Sequence, residues 1–304
     1  MDEPVLSLKA SGRARRRLLV NKLVEGLAVL AAAGAIAVLG IVVWSVGSRA
    51  VGALSIDFFI KGPSSDFFNA SGGGIAPALV GSFLLVAIAT VLALPIGVLT
   101  AVYVSEFAPT GFGQQIRLWL DVLNGFPSII IGIFVYALCV KVKFPLLGIG
   151  RHQSALAGGL ALAVIMLPLV ARSTMEVLRL VPNHLREASY ALGVSKWQTV
   201  LRVVLPTSFG GILTGTTLAV ARAAGETAPL LFTCAIAGQL VEWNPTHSVQ
   251  SIPLTIFFDS ESADPVLHQQ AWAAAFVLIM FVLVSSLTAR MLLDRSRRKL
   301  GVSR

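Results

Sequence analysis

The amino-acid sequence predicts an all-α polytopic membrane protein with six transmembrane helices, and three observations carry that reading. Of its 304 residues 56% are hydrophobic and 13% charged, with a mean hydropathy of +0.82, a composition typical of polytopic membrane proteins. The apolar residues gather into uncharged runs, several long enough to cross a ~30 Å hydrocarbon core as helix. The basic residues, which give a net charge of +9, flank those runs as membrane anchors do, which argues against a nucleic-acid surface. Cys139 and Cys234 both lie in apolar runs, so neither a disulfide framework nor a thiolate metal site is expected. His152, His184, His247 and His268 are scattered, with none at ligand spacing.

Residues 1–24 form a basic arm in which Arg13, Arg15, Arg16 and Arg17 precede the first apolar run. That run, Leu27–Val46, is too long for a signal-peptide core and reads as a retained first span within residues 25–47. Ser71 to Gly74 make a flexible approach to a transmembrane domain over 72–290. Its spans are expected at Ile75–Ser105, Val122–Val140, Ser154–Ala171, Val203–Ala221 and Ala271–Ala289. The first of these exceeds one crossing, so it is tilted, kinked at Pro95, or carried into water. Thr227–Val241 is too short to cross; it reads as an extension of the fifth helix beyond Gly225 and Pro229, or as the lining of a cavity. Eighteen Lys and Arg on one side against five on the other place both termini, including the basic tail 291–304, and the 172–202 loop in the cytoplasm. Lys141, Lys143 and Arg151 are the local exception. The 242–270 segment opposite is acidic, with Glu242, Asp259, Glu261 and Asp264.

Between the fourth and fifth spans lies a polar island, EASYALGVSKWQTVLRVVLP, from Glu187 to Pro206. Two short helices are predicted there. Pro182 and Asn183 start the first, which runs to Leu192, and Gly193 supplies the left-handed residue that ends it. Ser195 caps the second, Gln198 completes a capping box, and Pro206 is expected to break the helix before the next apolar run. A soluble-looking hairpin held between spans is a handle for a cytoplasmic partner. Its spacing resembles the EAA loop of ABC importer permeases: E-A-A, three residues, G, nine residues, I-x-L-P. Ser189 stands for the second alanine and Val203 for the isoleucine; every interval is kept. The resemblance implies the type I ABC importer permease fold and a coupling helix, within the loop 172–206, that docks on an ATPase. By that likeness Glu187, Ala188, Gly193, Leu205 and Pro206 carry the coupling.

Arg222 and Glu226, in ARAAGETAPLLF, are ionisable residues in an apolar setting, where each costs about 3 kcal/mol at mid-span unless paired or used. Arg222 lies ~24 Å along a continuous helix from Pro206, and Glu226 is expected one turn further on the same face. Two uses stay open on physical grounds. Arg222 can offer its planar fork to an oxyanion while Glu226 steadies it, or the two form a self-neutralising pair at a subunit contact. The run Arg222 to Leu231 is similar to R-A-x-G-E-T-A-P-L-L of phosphate importer permeases of the PstA type. That resemblance implies phosphate passage at Arg222 and Glu226, with Thr227 beside them. Leu123-Asn124-Gly125-Phe126-Pro127-Ser128, followed by Gly132, looks like the L-x-G-x-P-S motif of the third span of these permeases. Gly125 and Gly132 are expected to permit close helix approach, and Pro127 to free a carbonyl. Asn124 and Ser128 then either face the path or simply pack. Leu94-Pro95-Ile96-Gly97 also fits, so the resemblance covers roughly residues 72–290.

No Gly-rich loop ends in Gly-Lys-Ser/Thr, so energy must come from another polypeptide or an ion gradient. The resemblance implies no cofactor in this chain and Mg-ATP in a partner. The implied partners are a second, PstC-like permease, two PstB-like ATPase subunits, an extracytoplasmic PstS-like phosphate-binding protein, lipid, and phosphate as substrate, with no nucleic acid. A gradient-driven anion transporter would need coupling-ion residues, which the spans lack beyond Arg222 and Glu226. An intramembrane enzyme would need a nucleophile with a base, yet no histidine falls in a span and no serine there has a basic neighbour.

Overall fold

The computed structural model describes residues 13–63, 73–141, 153–234 and 240–299, and every regular element among them is helical. The start of the basic arm (1–12), Ser71 and Gly72, Lys143, Arg151, His152, residues 235–239 and the tail end (300–304) lie outside the described residues. The chain divides into two units, Met1–Ser48 and Arg49–Arg304. α1 (Arg13–Ala50) accounts for the described part of the first unit, and its Ala/Leu/Val/Ile-rich stretch contains the first predicted span.

The second unit opens on Arg49 and Ala50, the last residues of α1, and continues with α2 (Ile56–Ile60), whose first turn is capped by Ser55 Oγ accepting from Phe58 N at 3.2 Å. α3 (Ala76–Val102) has Pro77 in its first turn, where the missing N–H costs nothing, and continues through Pro95 into a wide π-type turn, Tyr103–Phe107. α4 (Thr110–Gly125) and α5 (Ser128–Tyr136) follow, the latter running on as a π turn to Lys141. α6 (Ala155–Arg179) leads to the paired short helices α7 (Asn183–Ala191) and α8 (Lys196–Thr199). α9 (Leu205–Ala224), α10 (Leu230–Thr233), α11 (Ile252–Glu261) and α12 (Pro265–Lys299) complete the fold. Among the described residues five helices are long and apolar enough to cross a membrane; a sixth span forms if α4 and α5, bent by 96°, count as one.

The core lies where α3, α6 and α9 meet. Ala89, Ala93, Ala155, Ala163, Ala219 and Ala223 are buried there with Leu85, Leu162, Met166 and Val170. Small residues let the backbones approach closely, which is how helices associate where lipid removes the usual hydrophobic drive. A second cluster joins the far end of α3 to the hairpin: Val104, Leu178, Val181, Val200 and Val204 are buried together.

Three sequence expectations are corrected. The third span is not one helix over Val122–Val140. Phe126 is extended at φ −70°, ψ 136°, and Pro127 starts a new helix, because a proline ring clashes with the carbonyl four residues back and drives its predecessor out of the helical region. The fifth helix does not extend past Gly225: α9 ends at Ala224, since Pro229 would meet the carbonyl of Gly225. Pro206, conversely, does not break its helix. It sits in the first turn of α9 behind a π turn, Val200–Val204, in which Leu205 N donates to Val200 O, and Lys196–Ala224 runs as one helix. A π turn changes the bonding ladder where proline supplies no donor.

Of the two glycines expected to permit close approach, Gly132 does and Gly125 does not. A Cβ on Gly132 would lie 2.5 Å from Pro229 Cα, whereas one on Gly125 would meet nothing within 4 Å. Gly132→Ala is therefore expected to lower stability by about 1–3 kcal/mol through overpacking against backbone, with Gly125→Ala close to wild type. Thermal unfolding of the detergent-solubilised protein checks the contrast.

Candidate functional site

Two places bring the singled-out residues together. The first is the hairpin α7–α8. Gly193 adopts φ +76° with open space around it, so its requirement is conformational. Its N–H reaches Tyr190 O at 2.9 Å, and Val194 N reaches Ser189 O at 3.3 Å. Ser195 N and Oγ both donate to Gln198 Oε1, at 3.3 and 2.8 Å, completing the capping box. Ser189, which replaces the alanine of the resembled motif, hydrogen-bonds Thr199 Oγ1 at 2.8 Å in a buried contact. The two short helices are thereby fastened to each other. Glu187 and Ala188 are exposed on the outer surface with Tyr190, Leu192 (83% exposed) and Trp197, a mixed apolar surface of the kind that a partner covers. Leu205 and Pro206 lie further on, where α8 has become α9.

Glu187 makes no ion pair with its neighbour Arg186 among the described residues. Arg186 is committed elsewhere: Nη2 donates to Glu106 Oε1 at 2.7 Å, and Nη1 to Val181 O at 2.7 Å. Glu106 is the functional candidate that sequence reading missed. The available signal was an acid closing the uncharged run Ile75–Ser105.

The second place is the end of α9. Arg222 lies in its last turn, and Gly225 N turns back to Arg222 O at 3.1 Å. Glu226 N donates to Ala223 O at 3.2 Å, so the chain folds over where continuous helix was expected, yet Arg222 Nε still comes within 3.8 Å of Glu226 Oε1. The arginine side chain is 54% exposed and the glutamate 17%. Among the described residues the guanidinium makes no other polar contact, which leaves both terminal nitrogens uncommitted. Thr227 is half-buried and its carbonyl accepts from Leu230 N and Leu231 N at 3.1 and 3.2 Å, starting α10. Gly132 of α5 presses on Pro229, and Ser128, one turn before Gly132, lies on the same face of α5 and is half-buried. Asn124 is exposed on α4, across the 96° bend.

The segment beyond α10 returns over the start of α6. Ser154, Ala155 and Leu156 donate their N–H groups to Thr233 O, His247 O and Pro245 O at 2.9–3.0 Å. These are the orphan donors of a helix N-terminus, answered here by backbone. Nearby, Glu242 Oε2 meets His247 Nδ1 at 2.9 Å; that bond, followed by the one from Asn244 N, holds the Glu242 carboxyl below its ordinary value. On α11 burial pushes Asp259 the other way, up to about 6. Among the described residues no three His, Cys, Asp or Glu lie close enough to hold a metal ion.

A helical hairpin carrying an exposed glutamate-alanine pair, set between spans that pack through alanine and glycine, defines an integral membrane component of a transporter. Residues 93–300 match the family described as binding-protein-dependent transport system inner membrane component, and the chain belongs to that family. Along nearly its whole length it is similar to proteins named phosphate transport system permease protein PstA. The relative from Haemophilus influenzae is 38% identical over 91% of this chain and 95% of its own length. The one from Xylella fastidiosa (strain Temecula1) is 36% identical over 93% and 96%. Solved ABC transporters share the fold: a chain of a bacterial alginate transporter at TM-score 0.62 and 12% identity, covering 96% of this chain and 99% of its own, and one of the MetNI methionine transporter at 0.55 and 18%, covering 73% and 94%.

Two outcomes are expected here. Ser189→Ala, which removes the bond between the two short helices while Thr199 Oγ1 keeps Ser195 O at 3.2 Å, should cost about 1 kcal/mol, read as a lower melting temperature in detergent. A folded state that holds the Asp259 proton above its ordinary value near 3.8 is favoured while the acid is protonated. Stability should therefore fall as pH rises from about 4 through about 6, and Asp259→Asn should flatten that part of the pH profile.

Proposed function

We propose that this chain is the transmembrane permease subunit of an ATP-driven importer of inorganic phosphate, forming half of the path and gripped from the cytoplasm by a separate ATPase. The observation that carries the reading is Arg222: a guanidinium at the end of α9, steadied loosely by Glu226 at 3.8 Å, with its terminal nitrogens uncommitted among the described residues. Such a fork matches a phosphate oxyanion in two places, while the neighbouring carboxylate keeps the attraction weak enough for release. Thr227, Ser128 and Asn124 are the further path residues, and the PstA names of the relatives support phosphate as the solute.

In this reading Glu187, Ala188 and Gly193, with Leu205 and Pro206, form the coupling element. The charge asymmetry across the spans supports a cytoplasmic position for both termini and the hairpin. A second, PstC-like permease completes the path. Two PstB-like subunits bind and hydrolyse Mg-ATP, which this chain has no loop to hold, and an extracytoplasmic PstS-like protein delivers phosphate. Closure of the ATPase pair, transmitted through the hairpin, alternates access.

Reconstituted with those partners, Arg222→Ala should assemble and hydrolyse ATP while phosphate uptake falls by about tenfold or more, in line with loss of a charge-assisted contact. Unchanged uptake would leave the ion pair a subunit contact. Ala188→Glu should lower both uptake and ATPase stimulation by blocking the docking surface, with the variant still present in the membrane on immunoblots.

A further inference from the structure

We infer that Glu106 and Arg186 form the joint through which the hairpin moves α3, which makes them positioning residues for transport. The inference rests on the reading above in one respect, that the hairpin is where the motor takes hold.

Arg186 sits in α7, directly before the exposed Glu187-Ala188 pair. Both terminal nitrogens of its guanidinium are spent on neighbours. Nη2 donates to Glu106 Oε1 at 2.7 Å and to Leu178 O at 3.0 Å; Nη1 donates to Val181 O at 2.7 Å and to Asn183 Oδ1 at 3.4 Å. With side chains 15% and 7% exposed, Arg186 and Glu106 are shielded from the water that weakens surface pairs. One side chain thus ties together the last turn of α6, the first turn of α7 and the π turn that ends α3. Lysine, a single rotatable ammonium, cannot reproduce that planar fork.

The neighbouring residue supplies a second tie. Lys196 Nζ, on α8, stands over the Phe107 ring at 5.4 Å from its centroid. Each helix of the hairpin therefore holds one of two consecutive residues in the same turn, Glu106 or Phe107. From that turn α3 runs back unbroken across the membrane. At its other end Ser82 Oγ accepts from Ile252 N at 2.8 Å, in a buried bond that starts α11. Glu106 and Ser82 are ~36 Å apart along the helix. A displacement imposed on the hairpin thus reaches the α11 segment through one hydrogen-bonded element. Without either charge the other is left buried and unpaired, and the hairpin loses its hold on α3.

The test uses the assembled transporter in liposomes with spin labels on Leu99→Cys and His184→Cys, both exposed positions, in otherwise wild-type and Arg186→Gln backgrounds. With the joint intact, the label distance stays the same when ATP is added, because α3 and α7 move as one body. In Arg186→Gln the distance should change on ATP addition, and phosphate taken up per ATP hydrolysed should fall about tenfold. Glu106→Gln, which keeps an acceptor for Nη2, should fall between the two. Should Arg186→Gln fail to assemble, Arg186→Lys provides the reading: it keeps the charge opposite Glu106 but not the full set of carbonyl bonds, and it should show both changes in weaker form. Wild-type label distances and wild-type uptake per ATP in the assembled variants would overturn the inference. Because the label distances involve no solute, a transporter that carries something other than phosphate would still give the expected distances, and only the solute assignment would fail.

Discussion

Hydrocarbon offers a peptide group nothing to bond with, and that single constraint explains where this chain is regular and where it is not. At two breaks among the described residues, partners for the backbone come from within the protein. At the end of α9 the chain turns on itself, Gly225 N to Arg222 O and Glu226 N to Ala223 O. At the start of α6 the donors of Ser154, Ala155 and Leu156 are met by carbonyls of a returning segment. At these two breaks the irregular backbone bonds within the protein, and Arg222, Glu226 and Thr227 stand at the first of them.

The same constraint accounts for the treatment of proline. Prolines within apolar stretches have three outcomes. Pro95 is absorbed inside α3 and Pro168 inside α6, Pro206 is accommodated in a first turn behind a π turn, and Pro127 and Pro229 each begin a new helix. The difference lies in what precedes them. Before Pro206, Val200 and Val204 are buried against Met175 and Leu178 of α6 and hold the π turn in place, whereas glycine stands two residues before Pro127 and four before Pro229, where helix is weakest.

This contrast marks the limit of what could be read from sequence. The hairpin was legible in detail, because Gly193, Ser195 and Gln198 act over three or four residues and their geometry follows from local chemistry. The apolar runs were legible as spans for the same reason. The bend at Pro127 and the stop at Gly225 were not, because proline in a long apolar run is compatible with kink, break or continuation until the neighbours are known. The Arg222–Glu226 pair was foreseen from its spacing, though it closes through a turn and not along a helix. The Glu106–Arg186 contact joins residues eighty positions apart, and nothing local announces it.

The continuity of Lys196 with Ala224 has a mechanical corollary. Twenty-nine residues of unbroken helix make a beam ~43 Å long, with Trp197 near one end and Arg222 near the other. If such a beam rocks about its centre, its tips travel in opposite senses, and a tilt of ~10° sweeps each through ~4 Å, more than the reach of a hydrogen bond. A see-saw of this kind could withdraw the guanidinium from an anion merely because the far tip was nudged.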